Sequence, residues 1–120
     1  LAYRAPEVLN AGFSTKPVDN AAVENASTGG GPTAASPALI AWVRAIGLDA
    51  GDVQAVSITG PNGFAAENVL PALERPRAQQ VLFTGRNNRA GRWPSGAYRA
   101  RYTVRRRGQV VLEHAFQLAL

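Results

Sequence analysis

The 120 residues predict an all-β fold, an antiparallel sandwich of about seven strands. Short apolar or alternating segments recur along the chain, divided by Gly, Pro and Asn turns. The last third alternates apolar and polar residues with a period of two. No segment carries a strong amphipathic helical period, and there is no internal repeat. The length suits one domain of roughly 100–150 residues, and a 46% hydrophobic composition supplies a core although the chain has no cysteine.

Taken in order, PEVLNAGF over Pro6–Phe13 reads as a first strand, expected to join the same sandwich as the rest. Lys16–Ala26 offers Val18, Ala22 and Val23 as a short, weak helical face. Asn25–Pro37, rich in Gly, Ser, Thr and Pro, reads as a flexible linker. Residues 1–36 therefore form a lead-in and 37–120 the sandwich body. Ala38–Leu48 reads as a strand buried on both faces, with a helix as its competitor because Ala and Leu favour one. Asp49–Asp52 is a turn, Val53–Thr59 a strand, and Gly60-Pro61-Asn62-Gly63 a second turn with proline and Asn-Gly where tight turns want them. Strands follow at Phe64–Leu70 and at Arg77–Gly85, with Val81 and Phe83 expected to point inward.

The final segment is the most informative. After the turn Trp93-Pro94-Ser95-Gly96, residues Tyr98, Ala100, Tyr102 and Val104 share one face and Arg99, Arg101, Thr103 and Arg105 the other, the pattern of a strand with one wet side. In the next strand Val110, Leu112, His114, Phe116 and Leu118 share a face. A two-residue Arg107-Gly108 loop would pair Arg106 with Gln109 and hence set Tyr102 against Glu113, an apolar face against a polar one. A three-residue Arg106-Arg107-Gly108 loop sets Tyr102 against Leu112, Ala100 against His114 and Tyr98 against Phe116, and is the expected register. It also places Arg101 opposite Glu113 as an exposed cross-strand ion pair. Gly96-Ala97-Tyr98 resembles the tyrosine corner of immunoglobulin-like sandwiches, so the expected sandwich is immunoglobulin-like.

Catalytic chemistry has little to work with. The absence of cysteine removes thiolate ligands and thiol catalysis, and one histidine rules out zinc sites built on several imidazoles. His114 reads as a half-buried packing residue, and no Gly-x-Ser-x-Gly elbow supports a serine nucleophile. Asp49 and Asp52 fit turn formation better than calcium binding. Gly29-Gly30-Gly31 lacks the strand and the Lys-Ser/Thr of a phosphate loop, and Asn25-Ala26-Ser27 is a chance sequon. No catalytic residue, metal ligand or cofactor is assigned.

Thirteen basic residues stand against eight acidic ones, a net charge of +5, and all of the basic ones but Lys16 are arginine. The bias fits a GC-rich genome. It also defines a candidate anion-binding face: Arg86, Arg89 and Arg92 in one loop, Arg99, Arg101 and Arg105 along a strand, and Arg106 and Arg107 crowning the hairpin. Nucleic acid is disfavoured, because Tyr98 and Tyr102 alternate away from the arginines instead of interleaving with them. The stripe reads first as a solvated face that discourages edge pairing. The longest apolar run, Pro37–Leu48, is too short to span a membrane. Leucine at position 1 predicts a fragment or a processed product.

Three stretches, RAPEVLNAGF, PALIAWVRAIGLDAGDVQAVSITGPNGFAAEN and FTGRNNRAGRWPSGAYRARYTVRRRGQVVLEHAFQL, resemble the C-terminal β-sandwich that follows the catalytic domain in some proteobacterial lysostaphin-type zinc metallopeptidases. The resemblance covers nearly the whole chain apart from the linker around Gly29–Pro37. It implies an accessory domain of an exported, periplasmic or secreted enzyme that cleaves peptidoglycan peptides, with peptidoglycan or the parent catalytic domain as partner. That family's zinc ligands lie in the catalytic domain, and no position here matches them. Two other readings stay open: a binding module for an anionic envelope polymer, and a generic immunoglobulin-like interaction domain of another secreted protein.

Overall fold

The computed structural model describes residues 5–15, 32–88 and 91–120. The expected helical face in Lys16–Ala26, most of the linker and Arg89 lie outside them. Seven strands follow one another: β1 (Glu7–Ser14), β2 (Ala38–Leu48), β3 (Val53–Thr59), β4 (Ala65–Val69), β5 (Arg77–Asn87), β6 (Ala97–Arg106) and β7 (Gln109–Ala119). All pairings are antiparallel, in a three-stranded sheet ordered β1-β2-β5 and a four-stranded sheet ordered β4-β3-β6-β7. This is an immunoglobulin-like sandwich in which the fourth strand pairs with β3 instead of extending the first sheet.

Strand, not helix, is the state of Ala38–Leu48, and its position explains its composition. β2 is central in its sheet, and Leu39, Ala41, Val43 and Ala45 face the opposing sheet with no exposure. They meet Val56, Ile58, Tyr98, Tyr102 and Val104 from β3 and β6, each fully buried Val, Leu or Ile contributing roughly 1.5–3 kcal/mol. The other face is apolar too. Trp42 packs against Val81 and Phe83, and Gly12 of β1 makes room for its ring, since a Cβ there would sit 3.2 Å from the indole Cζ2. The inward assignment of Val81 and Phe83 is thereby corrected. Phe83 is the register partner of Trp42 on the outer side of the sheet, so Leu82 and Thr84 are the buried residues of β5. Bulk on both faces hid the parity.

The β6–β7 hairpin keeps the expected faces from Leu112 onward by a different route, but Val110, expected inward, pairs with Arg105 and is exposed. Its turn is two residues long, Arg107-Gly108, with φ of 55° and 79°, the doubly positive pattern whose twist matches that of paired strands. Arg106 pairs with Gln109 and Arg105 with Val110; Val104 then pairs with Leu112, so Val111 is an extra residue, a one-residue bulge. The three-residue loop is therefore wrong. Tyr102 lies opposite His114, Ala100 opposite Phe116 and Tyr98 opposite Leu118, a slide of two residues that preserves parity. The bulge also lets Val111 and Leu112 both pack on the core. Arg101 lies opposite Ala115 and reaches Glu113 diagonally, and the ion pair forms.

Two segments tie down the end of the sandwich at which β6 begins. The Tyr98 hydroxyl donates to the Pro94 carbonyl at 2.6 Å, four residues upstream, as in a tyrosine corner. The Trp93 indole donates to the Ser36 carbonyl at 3.0 Å, its amide donates to Ala34, and the Asn88 side chain shares the Ser36 oxygen.

Candidate functional site

The seven described arginines of the candidate face do not form one surface. Arg99, Arg101 and Arg105 lie exposed on the outer face of the four-stranded sheet. Cross-strand register places Glu67 two strands from Arg101 through Ser57, and Glu113 is bonded to Arg101 itself. The residues paired with this stripe are Val53, Ser57, Thr59, Ala115, Gln117 and Val110. No aromatic ring lies among them for a base to stack on. This is a wet sheet face with interspersed charge.

Arg106 does not belong to that face. Its Nε and a terminal nitrogen donate to the two Asp52 carboxylate oxygens, each at 2.8 Å, a bidentate pair whose side chains are 10% and 0% exposed. Asp52 also accepts the Asp49 amide at 2.8 Å and closes the β2–β3 turn, which is the turn role expected of these two residues. Burial alone would raise the Asp52 carboxyl. The Arg106 hydrogen bonds, the Asp49 amide and the Arg106 charge outweigh burial and hold it below its ordinary 3.8. Next to it, the Tyr102 hydroxyl donates to the Gln54 side-chain oxygen at 2.9 Å, both residues being buried. Burial first, and the Asp52 charge second, push the Tyr102 phenol well above its ordinary 10. Arg107 stands exposed at the tip of the neighbouring hairpin.

At the opposite end, Arg86 and Arg92 line a half-open cleft of about 640 Å³. Three pieces of chain build it: the Pro61–Gly63 turn with Phe64, the end of β5, and the segment leading into β6. Asn62 holds a left-handed conformation, φ 57° and ψ 35°, that lets the turn close. Phe64 packs edge-on against both Trp93 (centroids 5.5 Å apart) and Tyr98 (5.4 Å), forming an aromatic wall. Arg86 donates through Nε to the Ala65 carbonyl at 2.6 Å, which fixes its guanidinium at the rim. Among the described residues no aspartate or glutamate lines the cleft. Sequence reasoning named both arginines but missed Asn62, Phe64 and Trp93; the signal was that each neighbours a proline or glycine in a turn whose loops converge.

His114 is half-buried and stacks, tilted, 5.7 Å from Phe116. Among the described residues no three His, Asp or Glu side chains come together as a metal site, and no helix is long and apolar enough to cross a membrane. No family model, curated protein or solved structure matches the chain.

Proposed function

We propose that this domain is a non-catalytic accessory module of an exported cell-wall metallopeptidase, working in the periplasm or outside the cell to place or brace the catalytic domain against peptidoglycan. The observation that carries the reading is how its reactive side chains are engaged. Asp52 is bound by Arg106, Glu113 by Arg101, and His114 lies against Phe116, and among the described residues no three His, Asp or Glu side chains come together as a metal site. The sequence resemblance supplies the parent enzyme class.

The test has two stages. The full coding sequence should contain a lysostaphin-type zinc motif upstream; its absence ends the reading. The parent enzyme lacking this domain should then lose turnover on intact sacculi while keeping it on a soluble peptide. Equal activity on sacculi with and without the domain would overturn a positioning role. A second reading, a binding module for an anionic envelope polymer, is favoured by the arginine cleft, which no carboxylate of the described residues lines. The generic interaction domain has no feature of its own to favour it.

A further inference from the structure

We propose that the cleft between the Pro61–Gly63 turn, the end of β5 and the segment before β6 is a binding site for an acidic sugar, a hydroxyl-bearing ring carrying one carboxylate or phosphate. The inference goes beyond the accessory-module reading and holds whether or not the parent protein is a peptidase. It also does not involve the β6 stripe.

Three features of the cleft converge on that chemistry. Its size, about 640 Å³, falls within the ~300–1,000 Å³ of small-molecule sites and exceeds what a bare ion fills. Its charge has one sign, because among the described residues Arg86 and Arg92, both exposed, have no ion-pair partner and no carboxylate shares the lining. Guanidinium groups recognise carboxylate and phosphate oxygens through paired N–H donors. Arg86 is already held through Nε by Ala65, so its terminal nitrogens are presented without the entropy cost of ordering a free side chain.

The rest of the lining selects what carries the anion. Asn62 and Asn87 add amides that can both donate to and accept from hydroxyls. The half-buried Phe64 ring, braced edge-on by Trp93 and Tyr98, gives a rigid apolar wall suited to the C–H face of a pyranose. A purely apolar ligand would leave the guanidinium and amide groups unsatisfied. A bare inorganic anion would leave the aromatic wall unused.

The experiment is an amide and indole NMR titration of the 120-residue chain at low salt. The probes are glucuronate, glucose 6-phosphate, neutral glucose and inorganic phosphate, each against wild type, Arg86→Gln/Arg92→Gln and Arg99→Gln. We expect saturable shifts of the Trp93 indole and the Asn62 and Asn87 side-chain amides with glucuronate or glucose 6-phosphate, and the stronger of the two identifies the anion. The double variant should weaken that binding at least ~10-fold while keeping a native spectrum, and Arg99→Gln should leave it unchanged. Glucose binding as tightly as the acidic sugars would overturn the charge argument, and inorganic phosphate binding as tightly would overturn the sugar. Absence of saturable shifts with both acidic sugars, or equal shifts in the double variant, would remove the site.

Discussion

At the end of the sandwich where β2 turns into β3, Arg106 lies against Asp52 with its guanidinium almost wholly buried, and Tyr102 and Gln54 extend the polar contacts inward. At the opposite end, Arg86 and Arg92 flank a cleft that no carboxylate of the described residues lines. The residue type is the same and its physical work is not. A buried, bidentate pair cannot lose one member without stranding the other's charge, so Arg106 acts on stability. An exposed guanidinium without an acidic partner adds little to stability, and its charge is directed outward. Arginine count says little about binding until each side chain has been placed.

The largest effect should come from breaking the buried pair. Asp52→Ala is expected to destabilise the domain by ~3–5 kcal/mol, read as a fall in the urea midpoint at unchanged slope. Arg86→Gln/Arg92→Gln, measured alongside, should change the unfolding free energy by less than about 0.5 kcal/mol. Similar losses at the two ends would break the comparison.

The same contrast should appear with acid. Because the folded-state value of Asp52 lies below its ordinary 3.8, its contribution is complete well above that value. It fades as pH falls through the lowered one. Wild type should therefore lose stability below about pH 4 more steeply than Asp52→Asn, which has no proton to take up there. Parallel acid limbs would show that the pair does not govern acid stability.

At alkaline pH the sign reverses. Tyr102 is raised by burial and by the Asp52 charge, and Tyr98 is raised by burial. Their neutral forms favour the fold up to the ordinary value near 10, and that contribution is lost as pH climbs further and the unfolded chain ionises. Tyrosinate absorbance from these two residues should appear together with loss of the near-ultraviolet circular dichroism. Ionisation of both in a still-folded domain would contradict their burial.

Smaller effects sharpen the picture within β6. Tyr98→Phe removes the hydroxyl bond to Pro94 and should cost ~1 kcal/mol. Arg101→Ala removes an ion pair whose side chains are 62% and 46% exposed, and should cost ~0.2–1 kcal/mol, diminishing in high salt.

Much of this architecture was legible in the residues. Period-two alternation located β6 and β7 and put Tyr98, Ala100, Tyr102 and Val104 inward, where they are. The hairpin register was not legible, because from Leu112 onward a shorter turn combined with a bulge preserves the same faces as a longer turn, and hydrophobic matching there cannot tell the two apart. Parity could have placed Arg106, since it continues the even-numbered inward face of β6 just as Asp52 and Gln54 continue that of Val56 and Ile58 in β3. The charge of the Arg105-Arg106-Arg107 run obscured it. Val81 and Phe83 misled for the converse reason: apolar side chains cover both faces of the β2–β5 pair, so bulk no longer marks the inside. The cleft brings together the Pro61–Gly63 turn, the end of β5 and the segment before β6, which alternation along one strand does not report.

The antiparallel order has a mechanical consequence. β1 enters at the end of the sandwich that holds the buried ion pair, and β7 finishes at the other, where the Gly96 and Leu120 backbones exchange hydrogen bonds at 2.9 Å in both directions. Tension between Glu7 and Ala119 would thus run along the strands. It would slide β1 past β2 and β7 past β6, loading many transverse hydrogen bonds at once instead of peeling them one by one. A domain strung this way yields at a rate set by its unfolding barrier, and behaves under load as a stiff spacer between whatever it joins.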